Sequence, residues 1–209
     1  NNYRKFYLGF SNGAIMQFNA GNGSLIKAVN EDEEEKDGIQ TYVYSHSKEI
    51  TSLFYYHDES LENSHYLLLS TSYDSIINVY NEENPEETEK LRTIHGGHTL
   101  KGKVLEINCM DFSILLNLFA TAGSDGLIVC WDFEMSKIDD IFYFHSNKLS
   151  VNFVKFLEPY PILAVGYDDG TLYFWGVKQN KERGECIFRA RNYFKQNRKI
   201  DLASIKYMN

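Results

Sequence analysis

The string AGSDGLIVCWD (122–132) sets Ser124 and Asp125 between two glycines, just ahead of an apolar run that ends in Trp131 and Asp132. Three kinds of chemistry use such residues: a loop that cradles phosphate, a carboxylate for acid–base work, and a turn whose polar groups serve the fold. The first fails, because no Gly-Lys-Ser/Thr follows and the segment after the turn has strand composition, not helix composition. No Ser–His–Asp arrangement is read in the G-x-S-x-G setting that would expose a nucleophile. His95 and His98 flank two glycines, yet no cysteine or acid stands at ligand spacing, so the pair does not define a zinc site. The acid pairs Asp139–Asp140 and Asp168–Asp169 fall on turns or solvated strand edges. These residues predict no catalysis, no metal and no cofactor.

The same turn recurs, and the recurrence defines the elements that hold it. FYLGFSNGAIMQF (6–18), LLLSTSYDSIINVY (67–80), LFATAGSDGLIVCW (118–131) and ILAVGYDDGTLYFW (162–175) share one register. In each, an Asn or Asp stands six residues before an aromatic: Asn12–Phe18, Asp74–Tyr80, Asp125–Trp131 and Asp169–Trp175. The Val-, Ile-, Tyr- and Phe-rich runs on either side read as strands, and Asn–Gly or Asp–Gly between them supplies the positive φ of a tight hairpin. A further strand precedes three of the hairpins (49–56, 104–112, 150–156), and another follows each one (24–29, 91–95, 138–145, 185–194). The expectation is four strands per repeat and no amphipathic helix. The opening strand of the first repeat is missing or hidden in the first few residues, and 201–208 reads as the first strand of another.

Four-stranded repeats with a leading histidine, an S-x-D-G-like turn and a terminal Trp–Asp resemble the WD40 family of β-propellers. The resemblance implies an all-β propeller of four-stranded antiparallel blades, with approximate boundaries 1–38, 39–95, 96–145, 146–195 and a first strand in 196–209. WD40 rings usually need about seven blades, so the chain is expected to be an excerpt of a longer propeller. The resemblance also implies a hydrogen-bonded chain of His, Ser/Thr, Asp and Trp inside each blade. Here that chain would be His98, Thr121, Asp125 and Trp131 in the third repeat. In the fourth it would be His145, Asp169 and Trp175, with Val165 where the hydroxyl belongs. In the second it would be His46, Ser70 and Asp74, with Tyr80 for the tryptophan. Residues 100–104 are extra between His98 and its strand, and the expectation is that they displace the histidine.

Composition bounds the rest. The chain has 209 residues, 43% hydrophobic and 15% aromatic, enough to bury a core. Cys109, Cys130 and Cys186 lie far apart with apolar neighbours, which predicts buried thiols in a reducing compartment. No run approaches the length of a membrane span, and no signal peptide opens the chain, so a cytoplasmic location without membrane contact is expected. The chain opens at Asn1, as a piece of a longer protein would. The formal charge of −8 argues against general nucleic-acid binding and leaves local patches open. EDEEEKD (31–37) and NEENPEETEK (81–90) read as solvated loops, or else as acidic docking elements. RARNYFKQNRK (189–199) holds five basic residues and no acid, and could grip RNA or an acidic protein surface such as tubulin through Arg189, Arg191 and Lys195.

Proteins of this family resemble rigid, non-catalytic platforms that bind other proteins through loops at the rim of the central channel. That resemblance makes Tyr73, Ser124 and Asp168, each just before the anchoring Asp, the candidate partner-binding residues. Tyr73 is read as an exposed aromatic anchor, or else as turn packing. Residues 111–134 and 156–177 are further similar to the large WD-repeat proteins of ciliary axonemes. The expected function is a scaffold in a multi-subunit assembly, axonemal or microtubule-associated. The alternative is an RNA-associated propeller of ribosome assembly or RNA processing.

Overall fold

The computed structural model describes residues 4–36, 39–58, 65–84, 86–95, 97–100, 102–132, 141–145, 149–177 and 185–190. The chain divides into an N-terminal unit, Asn1–Gly97, and a C-terminal unit, His98–Asn209. All regular structure in the described residues is β.

The N-terminal unit opens with β1 (Lys5–Gly9), β2 (Ile15–Asn19) and β3 (Leu25–Ala28), an antiparallel sheet in that order. A two-stranded ribbon follows, β4 (Glu31–Lys36) with β5 (Ile39–Tyr44). Then come β6 (Ile50–Asp58), β7 (His65–Ser72), β8 (Ile76–Asn81) and β9 (Glu89–His95), a four-stranded antiparallel sheet. The C-terminal unit begins with a short hairpin, β10 (Thr99–Leu100) and β11 (Lys103–Val104). Two four-stranded antiparallel sheets follow. The first is β12 (Ile107–Ser113), β13 (Leu118–Gly123), β14 (Leu127–Asp132) and β15 (Ile141–His145). The second is β16 (Val151–Phe156), β17 (Ile162–Tyr167), β18 (Leu172–Gly176) and β19 (Glu185–Ala190).

Two local devices repeat. Each anchoring Asp or Asn starts a hairpin whose next residue is left-handed: φ is 76° at Gly126 and at Gly170, and 69° at Ser75, where glycine is absent. A Cβ on Gly126 would also sit 2.6 Å from the Leu149 carbonyl oxygen, so position 126 needs glycine twice over. The second device is a bulge at the start of the first strand of every four-stranded sheet. Ile50 pairs with Ser72 and Ser52 with Thr71, so Thr51 is the extra residue; Asn108 and Asn152 hold the same place in β12 and β16. Such a bulge sharpens the strand's twist beside the turn it faces.

The central strands are buried on both faces, which explains their unbroken apolar runs. Every residue of β13 is buried. In the C-terminal unit Ala120, Ala122, Ile128 and Cys130 of one sheet join Val151, Val154 and Phe156 of the next in a shared core. In the N-terminal unit Ile15, Ile50, Leu68 and Tyr80 do the same for the first two sheets. Each such aliphatic side chain contributes about 2 kcal/mol through burial.

Two expectations are corrected here. Residues 31–36 are a strand, not a loop: β4 pairs with β5 along its whole length, from Glu31 opposite Tyr44 to Lys36 opposite Ile39. A ladder needs only backbone partners, so a run of charged residues does not by itself preclude a strand. The extra residues after His98 do not displace it. They loop out as β10–β11, and Leu105 N–H returns to the His98 carbonyl at 3.0 Å.

Candidate functional site

The third repeat brings His98, Thr121, Asp125 and Trp131 together. Trp131 Nε1 donates to Thr121 Oγ1 at 3.0 Å, and His98 Nε2 meets the same oxygen at 2.9 Å. His98 Nδ1 lies 3.0 Å from Asp125 Oδ1, which also accepts Leu127 N–H at 3.0 Å. Hydrogen-bond logic sets the protons. The indole can only donate, so Thr121 accepts from it and turns its own O–H toward His98 Nε2. That nitrogen is therefore bare, and His98 is the Nδ1–H tautomer donating to Asp125. Both side chains of that pair are fully buried. Gly123 makes room for the arrangement, since a Cβ there would lie 2.7 Å from His98 Nδ1.

The second repeat builds the same chain with one different member. His46 Nδ1 lies 3.0 Å from Asp74 Oδ2, and His46 Nε2 lies 2.7 Å from Ser70 Oγ. Tyr80 was expected to stand in for tryptophan, but the third contact on Nε2 is Asn78 Nδ2 at 3.2 Å, with Asn78 Oδ1 accepting from Thr93 at 2.8 Å. An amide nitrogen only donates, so His46 is also the Nδ1–H tautomer. Tyr80 instead fills core space at 1% exposure. Burial pushes the Asp74 carboxyl up. The bond and charge of His46 and the N–H groups of Ser47 and Ile76 outweigh it and hold the carboxyl below its usual value.

The fourth repeat departs further. Val165 is buried at the hydroxyl's place, and Trp175 stacks on Tyr173 at 6.0 Å. Asp169 is exposed, and its Oδ1 caps Thr171 N–H at 2.8 Å. The backbone of His145 ends β15 opposite Leu127, and its side chain lies outside what is described. In the first repeat Asn12 only caps its own turn, accepting from Ala14 N–H at 3.2 Å. Gly9-Phe-Ser11-Asn-Gly13 has the spacing of a nucleophile elbow, which the sequence reading passed over. It is the hairpin between β1 and β2, so strand and not helix follows Ser11.

The candidate partner-binding residues sit differently from one another. Asp168 is exposed, with its N–H held by the Ser150 carbonyl at 3.0 Å. Tyr73 is half-buried rather than freely exposed, and its N–H bonds the Glu49 carbonyl. Ser124 is half-buried and donates to Asn108 Oδ1 at 3.2 Å; Asn108 in turn donates to Ser150 Oγ and the Val151 carbonyl. The backbone of Arg189 pairs with Tyr173 in β18–β19, whereas Arg191 and Lys195 lie outside the described residues, as does 201–208. Cys130 is buried; Cys109 keeps some exposed area, but desolvation of its thiol pushes it up to about 12.

A second network was not legible at all. Glu82, in the stretch expected to be a solvated loop, is 4% exposed. Its Oε2 accepts from Tyr7 Oη at 3.1 Å and Gln17 Nε2 at 2.9 Å and pairs with Lys27 Nζ at 3.3 Å, and its Oε1 accepts from Thr88. One carboxylate thus ties β1, β2 and β3 to the corner between β8 and β9. Beside it opens a cleft of about 560 Å³ lined by Lys5, Phe6, Tyr7, Tyr55, Tyr66, Glu82 and Glu83. Burial, reinforced by the charge of Glu82, raises the Tyr7 phenol; burial, Tyr66 and Glu82 push Tyr55 up to about 12. No cluster of three or more metal-ligating side chains occurs among the described residues.

The family model of the WD domain, G-beta repeat (WD40) matches residues 89–132. No curated protein sequence matches the chain. Among solved structures, a chain of the mitotic checkpoint complex superposes with a TM-score of 0.63 at 17% identity, over 92% of this chain and 50% of that one. Sqt1 of Saccharomyces cerevisiae superposes with a TM-score of 0.63 at 15% identity, over 90% of this chain and 48% of that one. The chain therefore spans about half the length of these propeller structures, and the likeness is one of fold. Residues 89–132 thus match a WD40 repeat, four-stranded sheets built alike lie on either side of it, and the chain shares the fold of these structures.

Proposed function

We propose that this chain is a non-catalytic platform for protein–protein interaction within a larger assembly. One observation carries the reading. In two separate repeats, the histidine, hydroxyl and carboxylate that could support acid–base chemistry are buried and bonded to one another inside the sheet. Their acceptors and donors face the fold, which leaves the turns and loops as the surface for partners. The WD40 fold supports this role, and a structural neighbour solved within a checkpoint complex supports a multi-subunit setting.

The finer assignment is a cytoplasmic, axonemal or microtubule-associated scaffold with tubulin or axonemal proteins as partners. It rests on the similarity of residues 111–134 and 156–177 to large ciliary WD-repeat proteins. The basic stretch 189–199 favours a second reading, an RNA-associated propeller of ribosome assembly or RNA processing. Affinity capture of the tagged chain from ciliated cells tests both. Recovery of axonemal over nucleolar proteins is expected. The second reading gains if nucleolar proteins are recovered, together with an RNA affinity that falls steeply with salt and is lost when Arg189, Arg191 and Lys195 are reversed. Recovery of no protein partner sinks the platform.

A further inference from the structure

We propose that Asn22, at the corner between β2 and β3, is a self-modifying site that converts to aspartate and isoaspartate. This goes beyond the platform reading and does not depend on it. The sequence holds two Asn–Gly pairs, Asn12–Gly13 and Asn22–Gly23. A glycine after asparagine leaves the next backbone nitrogen free to attack the side-chain amide, because no Cβ obstructs the approach. The structure separates the two pairs. Residues 20–26 are all exposed, and a Cβ built on Gly23 would meet nothing within 4 Å. Gly13 is buried, and a Cβ there would run into the His46 carbonyl oxygen, so its backbone is clamped. The exposed pair can move into the reacting geometry, and the clamped pair cannot.

Asn22 is also activated. Ser24 donates to Asn22 Oδ1 twice, from its N–H at 3.0 Å and its O–H at 2.8 Å. That oxygen takes the negative charge when the Gly23 nitrogen adds to Asn22 Cγ, and donors already aimed at it stabilise the developing oxyanion. Asn12 Oδ1 accepts the longer bond of Ala14 N–H, at 3.2 Å, and position 14 offers no hydroxyl. The Gly23 N–H is held by the Asn19 carbonyl at 2.8 Å and must first swing free, an opening that an exposed corner makes readily. Solvent base takes the Gly23 proton, the bond from Gly23 N to Asn22 Cγ forms, and the Cγ–Nδ2 bond breaks. The amide nitrogen leaves as ammonia, protonated by water. A second water then opens the cyclic imide. Attack at Cγ gives aspartate; attack at the main-chain carbonyl gives isoaspartate, with a methylene added to the main chain. Either product adds a negative charge to residues 1–97, which carry 16 acidic and 7 basic residues, a formal −9. The rest carry 13 acidic and 14 basic. Isoaspartate also lengthens the corner leading into β3, the strand whose Lys27 pairs with Glu82.

The test incubates the full chain at mildly alkaline pH and follows its tryptic peptide Phe6–Lys27 by fragmentation mass spectrometry. That peptide carries both Asn–Gly pairs, so each is the other's internal control. Isoaspartate is read separately by its specific enzymatic methylation. In the folded chain Asn22 is expected to convert about tenfold faster than Asn12. In urea the clamp on Gly13 is gone, and the two rates should come within about threefold of each other. Ser24→Ala should slow Asn22 by about fivefold in the folded chain and leave Asn12 unchanged, while Ser24→Thr restores the hydroxyl and the rate. Thermal unfolding would show that both variants fold. Equal conversion of Asn12 and Asn22 in the folded chain overturns the assignment. So does a preference for Asn22 that persists undiminished in urea, which would place it in the local sequence and not in the fold. A full rate at Asn22 in Ser24→Ala overturns the activation by Ser24.

Discussion

Thr121 accepts from Trp131 and donates to His98, so one hydroxyl serves two buried ring nitrogens. Thr121→Val keeps the shape and leaves both nitrogens without a partner, at about 1–3 kcal/mol for each orphaned group. The expected loss is therefore about 2–6 kcal/mol, read by chemical denaturation. Val165 shows the alternative solution, in which the fourth repeat carries an apolar residue at that place from the start. Asp74 makes the fold acid-sensitive with a definite sign. Its folded pKa lies below the unfolded value of about 3.9, so its contribution is complete above that pH. It is lost as the pH falls through the lower, folded value. Asp74→Asn should destabilise the chain at neutral pH and flatten its stability profile below about pH 4, as measured by denaturant midpoints across the acid range.

Elements are joined here by side chains as much as by ladders. Glu82 reaches donors on all three strands of the first sheet, and Asn108 and Asp111 do comparable work in the C-terminal unit. Asp111 Oδ2 accepts Phe156 N–H at 2.7 Å, and Oδ1 takes Lys155 at 2.6 Å. Glu82→Gln preserves the outline, removes the charge facing Lys27 and turns one acceptor into a donor aimed at donors. An expected cost of about 2–4 kcal/mol follows, with hydrogen exchange rising first in β1–β3. Equal protection of those strands in the variant would refute this role. Nothing in the run NEENPEETEK distinguishes Glu82 from its neighbours, because its partners come from residues 7, 17 and 27, far away in sequence.

For the whole molecule, the contrast between a −9 first portion and a nearly neutral remainder shapes recognition. A partner that docks on the acidic unit should associate more slowly as salt rises, because screening shortens the reach of the field to about 10 Å near 0.1 M. Surface plasmon resonance of a captured partner should show the association rate falling with ionic strength while dissociation changes less. A salt-independent association rate would place the contact elsewhere.

Legibility followed distance along the chain. Strand composition, the Asp–Gly hairpins and the spacing from Asp125 to Trp131 are local, and so the repeat and the all-β class could be read directly, while the His98–Thr121–Asp125–Trp131 set followed from the resemblance to WD40 repeats. The loop reading of 31–36 failed because a ladder depends on a partner strand and not on the charge of the strand itself. Asn78 and Tyr80 lie two residues apart on one face of β8, opposite Ser70 and Leu68, and only the packed sheet decides which of them reaches His46. The network around Glu82 and the aromatic cleft belong wholly to the tertiary structure. They exist where strands distant in sequence meet, and single-strand periodicity holds no record of which neighbours those will be.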